Sequence, residues 1–154
     1  MALPPYQRVL DEHMAPLHRY LLAVAGPDDA DDCLQETLLA ALRAYPTLRE
    51  GANLRAWLLT IARRKATDSH RARRRRPVLV GEPLEVPVED RHDEDDPALW
   101  ASVRRLPPRQ REAVTLRFVG DLAYEEMGRV MGCSEEAARR SVHEGLKKLR
   151  TVWA

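Results

Sequence analysis

The chain has 154 residues, of which 44% are apolar and only 5% are aromatic. This length allows one or two small domains and excludes a large multidomain enzyme. Charged residues make up 32% of the chain, so with few aromatics the core must be built mainly from Leu, Ala and Val. Such a core is typical of packed helices rather than of a β-sandwich. We therefore expect an all-α protein.

The sequence carries no signal for membrane insertion, secretion or metal binding. No apolar run approaches the roughly 18 residues of a membrane-spanning helix, and residues 1–10 lack a charged-then-apolar signal pattern. Neither Cys33 nor Cys133 has another Cys or a His at metal-ligand spacing. We expect a cytoplasmic protein without cofactors, in which both thiols are buried as small apolar side chains.

Positive and negative charges are unevenly distributed along the chain. Residues 1–76 hold 13 Lys and Arg against 9 Asp and Glu, and residues 98–154 hold 11 against 7, so each segment has a net charge of +4. Residues 77–97 hold Arg91, eight acids and four prolines, with a net charge of −7. A charged, proline-containing stretch with little apolar surface is typical of a linker. We expect two small helical domains, 1–76 and 98–154, joined by an acidic flexible linker at 77–97.

The first domain shows the apolar periodicity of three helices. One is predicted within Val9–Ala25, and a second at roughly 28–45, between two prolines. A third begins after Asn53, a favourable N-cap, places Trp57 on its core face and runs toward the arginine-rich segment 71–76. The predicted core stripe of the second helix is Ala30, Leu34, Leu38, Ala41, Leu42 and Tyr45.

The second domain contains a helix-turn-helix pattern. Two prolines open a helix that ends near Phe118, and two further helices follow, Tyr124–Met131 and one capped by Ser134, with a turn at Gly132 between them. The last helix has an apolar stripe and a basic face. Such a face meets phosphates or base edges in a major groove, or is the solvated side of an ordinary helix. The stripe is Ala138, Val142, Leu146 and Leu149.

Several segments, taken in order, carry a family resemblance. They are DDCLQETL at 31–38, RAWLLTIAR at 55–63, LPPRQREAVTLRF at 106–118, YEEM at 124–127 and LKKLR at 146–150. The chain resembles an extracytoplasmic-function (ECF, group IV) sigma factor of bacterial RNA polymerase, in the sigma-70 family. The resemblance implies that 1–76 is sigma region 2 and 98–154 is sigma region 4. It also implies that the chain binds core RNA polymerase and directs promoter-specific initiation.

By the resemblance, the first domain meets both core polymerase and the −10 element. The expected polymerase contacts are Asp31, Asp32, Gln35 and Glu36 on the second helix, although acids near a helix start also serve simply to favour the helix dipole. Opening the −10 element requires unstacking bases and holding the exposed strand, which suits basic side chains. The expected −10 contacts are Arg49, Asn53, Arg63, Arg64, Thr67 and Arg71.

The resemblance assigns the last helix to the −35 element, where an Arg side chain can contact a base edge. Glu136 either accepts from a cytosine amino group or favours the helix dipole, and both interpretations stay open. Gly128 and Ala123 replace residues that the family uses to strengthen the preceding helix, each at an expected cost of ~1 kcal/mol. The expected −35 contacts are Glu136, Arg139, Arg140, His143 and Lys147.

The resemblance also implies the partners. They are core RNA polymerase, through the clamp of its largest subunit and the beta flap, promoter DNA, and an anti-sigma factor. The acidic linker is expected to thread the polymerase cleft. A solubilising spacer and a mask over the two basic domains are the alternatives.

Parts of the sequence also match two other classes of protein. DDADD at 28–32 matches the aspartate motif of prenyl-diphosphate enzymes, but the chain has neither the length nor a second such motif. A helix-turn-helix regulator that acts without joining polymerase would use the first domain for sensing or dimerisation. None of the five histidines has the Ser, Cys or Asp arrangement of nucleophilic catalysis, so we expect no enzyme activity.

Overall fold

The computed structural model describes residues 3–75, here called the first module, and 96–153, the second module. All regular elements in these two ranges are helical, as the composition predicted. Residues 76–95, which include most of the predicted linker, lie outside the described ranges. The helices are α1 (Tyr6–Ala25), α2 (Ala30–Ala44), α3 (Leu54–Arg75), α4 (Pro97–Arg104), α5 (Pro108–Phe118), α6 (Tyr124–Met131) and α7 (Glu135–Trp153), with a short 3₁₀ turn at Tyr45–Thr47.

The helix boundaries follow the capping residues that the sequence predicted. The Asn53 side-chain oxygen accepts a hydrogen bond from the Ala56 backbone N–H (3.1 Å) at the start of α3. The Ser134 hydroxyl does the same for the Ala137 N–H (3.1 Å) at the start of α7. Gly132 ends α6 in the left-handed conformation, with φ of 69°, which glycine adopts without steric cost.

Helices α1, α2 and α3 pack on one another as a three-helix unit. Leu17, Leu21 and Leu58 are fully buried in it, and Trp57 packs against the core beside the Tyr45 ring, with ring centroids 6.2 Å apart. The prediction that Leu42 lies on the core stripe of α2 is wrong, because this side chain is 50% exposed. Successive helical residues are rotated by about 100°, so Ala41 takes the core position and Leu42 points to solvent.

Helices α5, α6 and α7 form the core of the second module. Ala138 and Val142 of α7 are buried as predicted. Gly128, which we expected only to weaken α6, has a local role in the turn: a Cβ placed there would lie 2.7 Å from the Cys133 carbonyl oxygen. The expectation of two buried thiols is only partly correct, since Cys33 is buried and Cys133 is partly exposed.

The two modules pack directly against each other. Helix α1 contacts α5, and α3 contacts α6. Leu59 and Ala62 of the first module belong to the same buried cluster as Leu116 and Met127 of the second. The sequence predicted two domains joined by a linker, but not that they share a continuous core.

Candidate nucleic-acid interface

The polymerase-facing residues predicted on α2 lie on an exposed surface. Asp31 and Asp32 are exposed in the first turn, and Gln35 and Glu36 in the turn that follows. The Asp31 carboxylate lies 3.2 Å from the His18 ring nitrogen Nε2. The four predicted side chains therefore share one end of α2 and are accessible to a partner.

The same helix carries two exposed leucines that the sequence analysis did not assign to the interface. Leu39 is 54% exposed and Leu42 is 50% exposed. Gln35, Leu39 and Leu42 follow one another at i, i+4 and i+7, so they form a stripe along α2. The exposed face of α2 therefore combines a polar end with two apolar side chains.

The two predicted −10 residues of the loop before α3 are both exposed. Arg49 lies in this loop, and Asn53 closes it. The Asn53 side-chain oxygen is used to cap α3, which leaves its amide N–H groups as the donors for a ligand.

The predicted −10 residues of α3 do not form one surface. Arg63, Thr67 and Arg71 are spaced by four residues and line a cleft between the modules, whereas Arg64 lies outside the cleft lining and is exposed. Arg63 donates from Nε to both carboxylate oxygens of Glu112 in α5, at 3.1 and 3.0 Å. Arg64, Thr67 and Arg71 are exposed to solvent, and Arg63 is engaged by the second module.

All five predicted −35 residues of α7 are exposed: Glu136, Arg139, Arg140, His143 and Lys147. Two contacts hold the Arg139 side chain in place. The Arg139 guanidinium lies 3.1 Å from the Glu135 carboxylate and 4.9 Å from the centre of the Tyr124 ring. The Arg117 guanidinium lies 4.6 Å from the same ring. Cation–π contacts of this length are attractive, so Tyr124 positions Arg139 beside the turn.

The cleft between the modules has a volume of about 430 Å³ and a basic lining. Tyr20, Val24 and Ala66 supply an apolar part of the wall, and Glu112 is the single carboxylate among the described residues that line it. The cationic and titratable basic side chains of the lining are Arg63, His70, Arg71, Arg74, Arg109 and Arg111.

Glu112 and Tyr20 are site residues that the sequence analysis missed. The Tyr20 hydroxyl donates to Glu112 Oε2 at 2.8 Å, and its side chain is 1% exposed. Burial, and then the neighbouring Glu112 carboxylate, raise the pKa of Tyr20 well above its ordinary value of 10.0. No local pattern predicts the pair, because 92 positions separate the two residues.

The described residues contain no group of three or more His, Cys, Asp or Glu placed to hold a metal ion. Within the same residues, no helix combines the length and apolar character needed to cross a membrane.

Comparison with known families identifies both modules. The sigma-70 region 2 family model matches residues 9–76, and the sigma-70 region 4 model matches residues 97–149. Together they cover most of the chain in the predicted order. The chain belongs to the ECF RNA polymerase sigma factors. The alternative of a regulator that acts without polymerase does not account for region 2.

Individual relatives agree with this family. The chain is 36% identical to the ECF RNA polymerase sigma factor BldN of Streptomyces coelicolor over 94% of its own length, but spans only 58% of that protein. It is 32% identical to the ECF sigma factor EcfG of Rhodopseudomonas palustris, covering 88% of this chain and 78% of the relative. The sigma factor RpoE of Bartonella quintana, solved in complex with the anti-sigma factor NepR, has the same fold (TM-score 0.77, 22% identity, 96% of both chains).

Proposed function

We propose that this ECF sigma factor binds core RNA polymerase and directs promoter-specific initiation in the bacterial cytoplasm, without enzyme activity of its own. The observation that carries the proposal is the presence of regions 2 and 4 in one chain, each with an exposed face of suitable chemistry. We assign region 2 to 1–76, the linker to 77–97 and region 4 to 98–154.

The exposed face of α2 is the proposed polymerase surface. Asp31, Asp32, Gln35 and Glu36 supply carboxylates and hydrogen-bonding groups to basic residues of the clamp of the largest subunit. Leu39 supplies an adjacent apolar side chain, since the buried centre of an interface is more apolar than its rim. We assign a second contact, with the beta flap, to region 4.

DNA contacts are divided between α3, with the loop before it, and α7. The proposed −10 contacts are Arg49, Asn53, Arg63, Arg64, Thr67 and Arg71. All are exposed except Arg63, which is partly exposed and donates its Nε–H to Glu112. The exposed basic face of α7 supplies the −35 contacts, in which an Arg to a base edge specifies sequence and a Lys to phosphate adds affinity.

We also propose an anti-sigma factor as a partner. Solved sigma factors that share this fold include complexes with NepR and with the cytosolic domain of CnrY. Pull-down with the full chain as bait tests this directly: recovery of a partner that blocks transcription supports it, and full activity in the presence of every recovered protein contradicts it.

Run-off transcription tests the main proposal. Fragmented genomic DNA is transcribed by purified core polymerase with and without the chain, and the RNA 5′ ends are sequenced. We expect a set of start sites that depends on the chain and shares −10 and −35 sequences. Tight binding to a palindromic site without any core-dependent start site would contradict the proposal.

Variants of α7 then test the −35 assignment on the promoters found. Removing an Arg that reads a base is expected to cost about 1–3 kcal/mol and to relax preference at one base pair. Arg139→Ala and Arg140→Ala are compared with Arg129→Ala, an exposed arginine of α6 that is paired with two acids of its own helix. Equal losses on every promoter would make the α7 arginines phosphate contacts, and no loss would remove α7 from the interface.

A further inference from the structure

Two arginines of region 4 lie against the ring of Tyr124. The Arg117 guanidinium of α5 lies 4.6 Å from the ring centre, and the Arg139 guanidinium of α7 lies 4.9 Å from it. Tyr124 is the first residue of α6. We call these three residues the Tyr124 stack. The electron-rich face of a tyrosine ring attracts cations, so one ring links side chains of α5, α6 and α7.

Arg117 is held independently of the ring. Its Nη1 donates to the Leu122 backbone carbonyl at 2.8 Å, in the segment between α5 and α6. The two acids that follow the ring in sequence, Glu125 and Glu126, are paired with Arg129 of their own helix, so their charges are already partly compensated. The ring and Arg117 therefore form an ordered surface at the start of α6.

Arg139 is restrained by contacts from two helices. Glu135, one turn earlier on α7, lies 3.1 Å from its guanidinium, and both side chains of this pair are exposed. An exposed ion pair within one helix contributes little by itself. The Tyr124 ring contacts the same guanidinium from α6, and this contact from a second helix is what gives the side chain its direction.

Arg140 differs from its neighbour in this respect. Its side chain is exposed, and among the described residues no ion pair or ring contact holds its guanidinium. Both arginines lie within the first two turns of α7, the part of a recognition helix that contacts base edges. The two adjacent arginines thus differ in how firmly they are held rather than in charge or position along the helix.

This difference in order bears on base recognition. A bidentate contact with a base edge needs the guanidinium plane in one orientation, and an arginine that is already restrained loses less side-chain entropy when it binds. An unrestrained arginine adapts to nearby phosphate oxygens, and phosphate contacts carry no sequence information. A restrained arginine therefore discriminates between bases better than a mobile one.

We propose that Tyr124 is a positioning residue for promoter specificity, because it holds Arg139, rather than Arg140, in place to read a base of the −35 element. This inference rests on the proposed function and deepens it. Tyr124 acts through the Arg139 guanidinium that its ring contacts. Arg140 contributes affinity by contact with phosphate, without a preference for sequence.

Base discrimination in run-off transcription tests the proposal. It is the ratio of transcript from a promoter found above to transcript from the same promoter with one −35 base pair changed, measured for each pair in turn. Tyr124→Leu removes the ring and is expected to lower discrimination at one base pair about two- to fivefold, whereas Tyr124→Phe keeps the ring and retains it. Arg139→Ala should lower discrimination at the same base pair by at least about fivefold. Arg140→Ala should lower transcript equally on all promoters.

The double variant Tyr124→Leu with Arg139→Ala separates positioning from a general effect on the fold. If the ring acts through Arg139, the double variant discriminates as poorly as Arg139→Ala alone and no worse. A further loss in the double variant overturns the proposal, and so does unchanged discrimination in Tyr124→Leu. Equal losses for Tyr124→Leu and Tyr124→Phe would assign the effect to the hydroxyl group, which also overturns it. A base-specific loss for Arg140→Ala but not for Arg139→Ala overturns the choice of reader.

A second measurement on the full chain requires neither DNA nor polymerase. Protons above an aromatic ring are shifted upfield in NMR spectra. The Nε–H proton of Arg139 is therefore expected upfield of that of Arg140, with the two signals assigned by their loss in Arg139→Ala and Arg140→Ala. Coincident signals in the parental chain overturn the proposal even if transcription is promoter-specific, and this result does not depend on whether Tyr124→Leu folds. An absence of chain-dependent start sites contradicts the proposed function instead, so the two failures are distinguishable.

Discussion

The hydrogen bond between Tyr20 and Glu112 is expected to contribute more to stability than an ordinary tyrosine hydrogen bond. Tyr20→Phe keeps the ring in its buried position and removes only the hydroxyl. A hydrogen bond to a charged group contributes about 1.5–3 kcal/mol, against about 0.5–1.5 kcal/mol for a neutral pair. The 2.8 Å contact to a carboxylate belongs to the first class. We expect Tyr20→Phe to lower the free energy of unfolding by about 1.5–3 kcal/mol.

Tyr6→Phe is the internal control for this measurement. The Tyr6 hydroxyl donates to the Leu38 backbone carbonyl at 2.7 Å, within region 2, so its acceptor is neutral. Urea denaturation followed by circular dichroism gives both free energies. A loss for Tyr20→Phe that is no larger than the loss for Tyr6→Phe would refute the argument that the buried charge strengthens the Tyr20 contact.

The same residue predicts a pH dependence at alkaline pH. The raised pKa of Tyr20 means that the folded chain keeps the phenolic proton above pH 10, where the unfolded chain loses it. This contribution to stability is fully present below about pH 10 and falls as the pH rises toward the folded-state pKa, by about 1.4 kcal/mol per pH unit. Tyr20→Phe is expected to remove this part of the alkaline loss, and an unchanged slope would contradict the assignment.

Three further variants test the capping, packing and interface assignments. Ser134→Ala removes the α7 cap and is expected to cost about 0.5–2 kcal/mol in urea denaturation; no loss would mean that water replaces the cap. Gly145→Ala should destabilise the chain in spite of a helix-propensity gain of about 1 kcal/mol, because its Cβ would lie 2.7 Å from a valine methyl group of α5; a gain in thermal stability would show that α5 adjusts. Gln35→Ala combined with Glu36→Arg should reduce co-purification with core polymerase without a change in melting temperature, since both residues are exposed. Glu12→Arg on α1 is its control for charge, and equal recovery of core polymerase by both variants would remove this face of α2 from the interface.

The helices could be predicted from the sequence because their signals are local. Apolar residues at helical spacing, the Asn53 and Ser134 caps and the Gly132 turn each act within a few residues, so they indicate the helices before the tertiary packing is known. The order of the motifs along the chain indicated the sigma factor family. The same local pattern could not assign Leu42, since adjacent apolar positions fit a core stripe equally well until the neighbouring helices are in place.

Only the tertiary structure decided which basic residues are free. In the sequence, Arg63 and Arg64 are adjacent cations, and both are predicted to contact the −10 element. A rotation of about 100° between them turns one toward the cleft and leaves the other exposed to solvent. The partner of Arg63 lies 49 positions away, and that of Tyr20 lies 92 positions away. Pairings over such distances depend on how two helical units dock, and docking is fixed by the shape of their shared core rather than by any periodicity in the chain.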